Sequence, residues 1–120
     1  MERTTITMDG CGSVAVPSDT ANVWMSEMEL VTLFGVIAPT LRAAIRAVYK
    51  SGALQPCEVE RSIRLHNGYC AEAYALPMVV AIAFRINTPN AARVRNALLE
   101  RLCLRKDRQV LFFFSSPNVL

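Results

Sequence analysis

Gly35 interrupts an apolar helical pattern that runs from Trp24 to Leu54, and this interruption limits the possible folds more than any other feature. Before it, Ser26 and Glu29 have the spacing of a capping box. In that motif the serine accepts from a backbone N–H while the glutamate reaches back to the chain before the helix. Glycine takes the left-handed conformation that ends many helices at little cost. The segment therefore predicts two helices joined by a short turn.

Each predicted helix has an apolar stripe that should face the core. Pro39 suits the first turn of the second helix, and Ser51-Gly52 suits its end. The periodic apolar positions predicted to be buried are Met28, Val31, Leu33 and Phe34 in the first helix and Leu41, Ala44, Ile45 and Val48 in the second.

Basic side chains form a second stripe on the second predicted helix. Arg42, Arg46 and Lys50 are spaced four apart, on the side opposite the apolar positions, and residues 30–56 carry no acidic side chain. Residues 85–120 carry seven basic and two acidic side chains. A localised basic face is what a polyanionic partner requires. The alternative is a solvated helix face that needs no partner.

Two turn signals predict β-hairpins on either side of this helix pair. Asp9-Gly10 lies between β-rich runs near 4–8 and 13–17, and a polar connector ending in Trp24 follows. Asn67-Gly68 lies between alternating runs, which is the strongest short hairpin signal in a single sequence.

The remainder of the chain predicts two further helices and a tail. Residues 76–84 are apolar and begin near Pro77, which favours a buried helix over a strand. Thr88 and Pro89 predict the start of a last helix with apolar positions Ala92, Val94, Leu98, Leu99 and Leu102. The tail, QVLFFFSSPNVL, is either a strand that completes a sheet or an exposed segment that pairs with another copy.

These elements predict one α+β domain over residues 1–120, because 120 residues allow a single core and not two. No run reaches the roughly 18 apolar residues of a membrane helix, and the N-terminus does not resemble an export signal, so we expect a cytoplasmic protein without membrane contact. The predicted parts are an N-terminal hairpin and connector at 1–23, a helix-turn-helix at 24–54, a hairpin at 57–75, helices at 76–106 and a tail at 107–120.

The inventory of reactive side chains does not favour an enzyme. His66 is the single histidine and lies beside a predicted hairpin tip, where it should be exposed. Glu58 and Glu60 have no base or metal partner nearby in sequence, and no glycine-rich phosphate loop occurs. The four cysteines have no metal-binding spacing, so we expect apolar thiols in or near the core. We expect neither catalysis, cofactor nor metal.

The helix pair favours DNA binding instead. The second helix of such a unit can lie in a major groove of about 12 Å width, where Arg42, Arg46 and Lys50 would reach the duplex. Thr40, in its first turn, could meet a phosphate. The hairpin around Asn67-Gly68 could act as a wing, with Arg61 and Arg64 against the backbone. Alanine-rich helices such as LRAAIRAVY also occur simply as packed helices.

In its order of segments the chain resembles the RhuM family of virulence-associated proteins, relatives of phage antirepressor-type DNA-binding modules. The similar stretches are the MDG turn, VWMSEMELVTLFGV, TLRAAIRAVYKSGAL and YALPMVVAIAFRINTPNAARVRNALLERL. The matching positions are Trp24, Leu33, Phe34, Gly35, Ile45, Gly52, Leu54, Tyr74, Leu76, Arg85, Asn87 and Arg95. The resemblance implies a winged-helix-like DNA-binding module of a bacterial or mobile-element protein, active in transcription regulation.

Three later arginines, Arg93, Arg95 and Arg101, are secondary candidates for DNA contact. For Arg85 and Arg95 the alternative is structural, either pairing with Glu72 or capping carbonyl groups. The alternative function is a protein-interaction or dimerisation module, similar to an antirepressor, that forms a homodimer through its last helix and tail and has no DNA affinity.

Overall fold

The computed structural model describes residues 3–104, and these form an α+β domain with five α-helices and two small antiparallel sheets. The predicted tail, at 107–120, lies outside the described residues. The strands are β1 (Thr7–Met8), β2 (Val14–Ala15), β3 (Trp24–Ser26), β4 (Glu60–Arg64) and β5 (Cys70–Ala75). The helices are α1 (Glu27–Phe34), α2 (Ala38–Ser51), α3 (Pro56–Val59), α4 (Leu76–Ala83) and α5 (Pro89–Leu99), and a π-helical segment, Glu100–Leu104, follows α5.

The first predicted hairpin is present but shorter than the sequence indicated. β1 and β2 pair antiparallel over two residues each, with Thr7 opposite Ala15. The Asp9 carboxylate accepts from the backbone N–H groups of Cys11 and Ser13, both at 2.9 Å. These bonds hold a longer loop in which Gly12, and not Gly10, has a positive φ of 85°. Asp9 thereby replaces the tight Asp-Gly turn with a side-chain-supported loop.

The second sheet has the order β3-β5-β4, with β5 in the centre. The hairpin of β4 and β5 turns at Gly68, whose φ is 87°, so the Asn67-Gly68 prediction is confirmed. β3 was not predicted, because three residues carry too little alternation to be read as a strand; it forms by pairing with the edge of β5. The predicted hairpin bounds of 57–75 were too wide, since Pro56–Val59 is a short helix.

The α1–α2 pair follows the local sequence signals closely. Ser26 and Glu29 form both bonds of the capping box that begins α1. Gly35 ends α1 with a φ of 65°, residues 35–37 make the turn, and the two helix axes meet at 105°. Met28 was predicted to be buried, which is wrong: it is 76% exposed. It lies about 200° around the helix from Leu30, which is fully buried in its place.

The core lies between the helices and one side of the second sheet. Phe34 is fully buried at its centre, and α2 buries Leu41, Ile45 and Val48, as predicted. α4 is a helix, also as predicted, and buries residues on several sides, which fits its nearly uniform apolar sequence. From α5, Val94 and Leu98 are buried, while Leu99 is 44% exposed and Leu102 in the π-helical segment is 62% exposed.

Within residues 3–104 no single helix has the length and composition to cross a membrane. α1 and α2 meet both criteria only as a pair, and the bend of 105° separates them. The expected burial of the cysteines is wrong for Cys11, Cys57 and Cys70, which are exposed because they lie in a loop, a short helix and the hairpin end of a strand.

Candidate nucleic-acid interface

α2 carries four of the predicted contact residues. Thr40, Arg42, Arg46 and Lys50 are all exposed, and α2 itself contains no acidic residue. At a rise of 1.5 Å per residue, positions four apart are about 6 Å apart along the axis. The structure therefore brings three of these residues together as one stripe, which we call the α2 stripe: Arg42, Arg46 and Lys50. Thr40, two residues before Arg42, lies about 160° around the helix from it.

One member of the α2 stripe is held by the neighbouring helix. The Arg42 guanidinium makes two parallel hydrogen bonds of 2.9 Å to the carboxylate of Glu27, at the start of α1. Both side chains remain in contact with solvent, at 54% and 37% exposure. The hydrogen bonds from Arg42 to Glu27 raise the pKa of the guanidinium further, so Arg42 stays charged. The sequence did not predict this pairing of Glu27 with Arg42, although it did place Glu27 near the start of α1.

The two predicted wing arginines do not act from one surface. In the register of β4 and β5, Arg64 lies opposite Cys70 and Arg61 opposite Ala73. Side chains three apart on a strand point to opposite faces. The Arg61 guanidinium lies 4.6 Å from the centre of the Trp24 ring, whereas Arg64 donates to the Gly68 carbonyl at 3.3 Å beside the hairpin turn.

Carboxylates share the sheet face that carries Arg64. Glu60 and Glu72 lie on this face together with Tyr74, and the Tyr49 hydroxyl of α2 donates to Glu60. Burial of the Tyr49 hydroxyl, followed by its bond to Glu60, raises the pKa of Tyr49 well above its ordinary value. Burial, with Glu60 as the next cause, also raises the pKa of Tyr74. On this face the body of the hairpin is thus acidic toward α2, and the basic side chain, Arg64, lies near the tip.

The later arginines bind backbone carbonyl groups. Arg95 is half-buried and donates to the carbonyls of Ala83 and Ile86 at 2.8 and 2.9 Å. This is the carbonyl-capping geometry expected of a structural arginine, located where α4 ends.

Two other secondary candidates reach the N-terminal hairpin. Arg93 donates to the Cys11 carbonyl at 3.3 Å, and Arg101 donates to the Val16 carbonyl. Arg85 is exposed in the turn between α4 and α5. These three arginines therefore differ from the α2 stripe, because Arg93, Arg95 and Arg101 each donate to a backbone carbonyl. Sequence spacing gave no signal of these partners, which are distant in the chain.

An ion pair that the sequence reasoning also missed fixes the N-terminal segment to α1. Arg3 makes two bonds of 2.9 Å to the Glu29 carboxylate and one of 2.8 Å to the Trp24 carbonyl. Burial raises the pKa of Glu29, but its bonds to Arg3 and to Ser26 outweigh burial and leave that pKa below the ordinary value of 4.5. Glu29 thus serves both the capping box and this ion pair.

We looked for a metal site and for known relatives that would indicate what this surface binds. Across residues 3–104, no group of three His, Cys, Asp or Glu side chains is placed to hold a metal ion. The chain matches no protein-family model, no curated protein and no solved structure. What the surface can bind therefore follows from its own charge and shape.

Proposed function

We propose that this protein binds duplex DNA as a winged helix-turn-helix module of the RhuM type, and that it regulates transcription. α2 lies in the major groove and the tip of the β4–β5 hairpin lies against the backbone. The observation that carries the proposal is the α1–α2 geometry: a glycine-containing turn and an angle of 105°, with the basic stripe on the solvent side. DNA-binding helix pairs have angles of about 90–120° and turns of this length.

The surface of α2 favours close approach with little base discrimination. Ala43 is exposed and Ala47 half-exposed between the basic positions, and their small side chains let the helix come near the groove floor. Methyl groups offer only apolar contact with thymine, while Arg46 and Lys50 suit phosphate oxygens. Binding should therefore depend mainly on the backbone charge of the duplex and only weakly on its sequence.

The ion pair of Arg42 with Glu27 is compatible with DNA contact. Exposed ion pairs are weak because solvent screens the charges and two long side chains must be ordered. A phosphate offers the same planar, bidentate recognition to a guanidinium as a carboxylate does. Arg42 can therefore exchange Glu27 for a phosphate when the duplex approaches.

Only the tip of the hairpin is suited to contact DNA. Arg64 is next to the turn, whereas Glu60 and Glu72 on the same face would repel phosphates. Arg61 is on the opposite face, against Trp24, where it supports the sheet. In this proposal Arg93 and Arg95 contribute to folding, and Arg64 is the one wing contact.

The test is duplex binding at two salt concentrations for the parent protein, Arg46→Ala and Arg85→Ala. Arg85→Ala is the matched control, because it removes the same charge from an exposed position outside the α2 stripe. We expect Arg46→Ala to weaken binding and to reduce the salt slope by about one, with the control close to the parent. Equal effects of the two variants, or no salt dependence in the parent, would end the proposal.

A second candidate function, a homodimer that binds no DNA, is supported by exposed apolar side chains at the C-terminal end of the described chain. Leu99 and Leu102, three residues apart, are 44% and 62% exposed. Exposed apolar groups that lie close together mark association surfaces. Sedimentation of the parent and of Leu99→Glu tests this: a dimer that the glutamate dissociates, without duplex affinity in either protein, favours the second function.

A further inference from the structure

β4 is an edge strand of the second sheet, and its outer side is open. The sheet order is β3-β5-β4, so among residues 3–104 β4 pairs with β5 alone. The five residues of β4, ERSIR, are all exposed or partly exposed. An edge strand presents backbone N–H and C=O groups that have no partner strand, and these groups form a template for pairing with another chain. A strand from a second molecule can therefore extend this sheet.

The direction of the backbone groups along β4 follows from the bond beside the hairpin turn. The Leu65 N–H donates to the Tyr69 carbonyl at 2.8 Å, so Leu65 bonds toward the β5 side. Backbone groups alternate in direction along a strand, so those of Ser62 and Arg64 point to the open side. Glu60 agrees with this alternation, because its N–H bonds to a carbonyl of α3 and not to β5. The Glu60 carbonyl is therefore also directed to the open side.

The charges of β4 are complementary to those of a second β4. Ser62 is the middle residue of the strand, with Glu60 two residues before it and Arg64 two residues after it. These three side chains lie on one face of the sheet. When two copies pair antiparallel with Ser62 opposite Ser62, Glu60 of each copy lies opposite Arg64 of the other. Opposite charges at directly opposed positions stabilise a strand pair, and like charges destabilise it.

Moving the centre of this pairing by one residue in either direction loses the charge match. A centre at Arg61 would set the two Arg61 side chains directly opposite each other, which is repulsive. A centre at Ile63 would place Glu60 opposite His66, so no carboxylate would lie opposite a guanidinium. The charges of β4 therefore favour the centre at Ser62.

Both charged side chains are available for these pairs. Arg64 is exposed, and its guanidinium donates to the Gly68 carbonyl in a long bond of 3.3 Å. Glu60 accepts from the Tyr49 hydroxyl through Oε2, so its Oε1 can accept from a second donor. Pairs of arginine with a carboxylate are shorter and stronger than neutral hydrogen bonds.

We propose that two copies of this chain associate through β4, paired antiparallel about Ser62, so that their two three-stranded sheets become one. The Ser62 N–H of each copy bonds to the Ser62 carbonyl of the other, and each Arg64 N–H bonds to the Glu60 carbonyl of the other copy. This arrangement has the two-fold symmetry that is commonest among homodimers. The paired surface is small, so the dimer is weak and forms as the protein concentration rises.

The inference does not depend on DNA binding. It uses Arg64, which is also the proposed wing contact, so the dimer and the duplex compete for this side chain. The surface differs from the exposed leucines at the C-terminal end of the described chain, and the experiments below separate the two surfaces.

The first test is sedimentation of full-length chains over a range of protein concentrations. Arg64→Glu sets two carboxylates opposite each other at both ends of the paired strands, so it should weaken the dimer at least about tenfold. Arg85→Glu is the matched control, because it makes the same charge change at an exposed position outside the sheet. A mixture of Arg64→Glu with Glu60→Arg restores opposite charges at both ends, so the mixture should dimerise although each variant alone does not.

Ser62→Pro tests the backbone pairing without changing any charge. Proline lacks an N–H, and the Ser62 N–H points away from β5, so the sheet of the monomer keeps its bonds while the dimer loses the two at its centre. We expect Ser62→Pro to stay monomeric at every concentration and Ser62→Ala to dimerise like the parent. Unchanged amide exchange at Ile82 in α4 shows that each variant keeps its core.

Amide exchange in the parent identifies the surface that pairs. Protection of the Ser62 and Arg64 amides should rise with protein concentration, whereas Ile63, which faces β5, should be protected at every concentration. A parent that stays monomeric throughout would overturn the proposal, as would a dimer that Arg64→Glu and its control affect equally. A dimer that Leu99→Glu dissociates and Ser62→Pro leaves intact belongs to the C-terminal surface and would also overturn it.

Discussion

Thr88 connects the turn after α1 to the start of α5 through a single hydroxyl group. Its oxygen accepts from the Ala91 N–H at 3.0 Å as the N-cap of α5 and donates to the Phe34 carbonyl at 2.7 Å. Phe34 is the last residue of α1, immediately before Gly35. This hydroxyl therefore stabilises a helix start and also fixes the position from which α2 departs.

Replacing Thr88 with alanine removes both hydrogen bonds. Loss of a threonine N-cap costs about 1 kcal/mol, and loss of the bond to a carbonyl costs about 1 kcal/mol more. We therefore expect Thr88→Ala to lower the free energy of unfolding by about 2 kcal/mol. In urea, where a domain of this size loses about 2 kcal/mol per molar, the midpoint should fall by about 1 M.

Thr88→Ser is the matched control, because serine keeps the hydroxyl and loses only a methyl group. The serine variant should unfold within about 0.5 kcal/mol of the parent, with an unchanged denaturant slope in all three proteins. If alanine and serine variants had the same stability, the hydroxyl would contribute nothing, and the reasoning from these two bonds would be refuted.

Four further outcomes are expected. Gly35→Ala should cost about 1–2 kcal/mol in thermal unfolding, because alanine is strained at a φ of 65° and its Cβ would lie 2.9 Å from the amide of Asn90. Arg95→Gln should lower the free energy of unfolding by about 2 kcal/mol, since two carbonyls lose a charged donor, while duplex affinity measured beside it stays within about twofold of the parent. Glu27→Gln should raise duplex affinity about threefold, because it releases Arg42. The same substitution made in an Arg42→Gln protein should give little gain. Equal gains with arginine and with glutamine at position 42 would show that Arg42 is not involved. The lowered pKa of Glu29 means that folding favours its ionised form. Its contribution to the free energy of unfolding is therefore complete above pH 4.5 and is lost as the pH falls further. In unfolding measured against pH, Glu29→Gln should reduce the loss of stability below pH 4.5.

The elements that the sequence predicted correctly depend on local chemistry. Ser26 with Glu29, Gly35, Asn67-Gly68 and Thr88 with Pro89 each act through neighbours within four residues, so their signal is readable without the fold. β3 is different. It is a strand because β5 offers an edge to Trp24–Ser26, and such a partner is far away in the sequence.

The positions of the arginines show the same limit for the candidate site. Spacing placed Arg42 and Arg46 on one side of a helix, and the structure confirms their exposure. Sequence spacing could not indicate which arginines bond to other protein groups, because a long guanidinium side chain reaches carbonyls and carboxylates of other elements. Arg95 and Arg101 find such partners 9 or more residues away, and Arg42 finds Glu27 at a separation of 15.

β5 passes into α4 without an intervening loop, since Ala75 ends the strand and Leu76 begins the helix. This junction joins the central strand of the sheet directly to the most apolar helix. The hairpin end at 65–69 is exposed for most of its length and can be lengthened at little cost. One residue inserted at the junction would instead turn α4 by about 100° and bring its buried side chains to the surface. Variation in length among descendants of this chain should therefore accumulate at the hairpin tip and be missing at the junction.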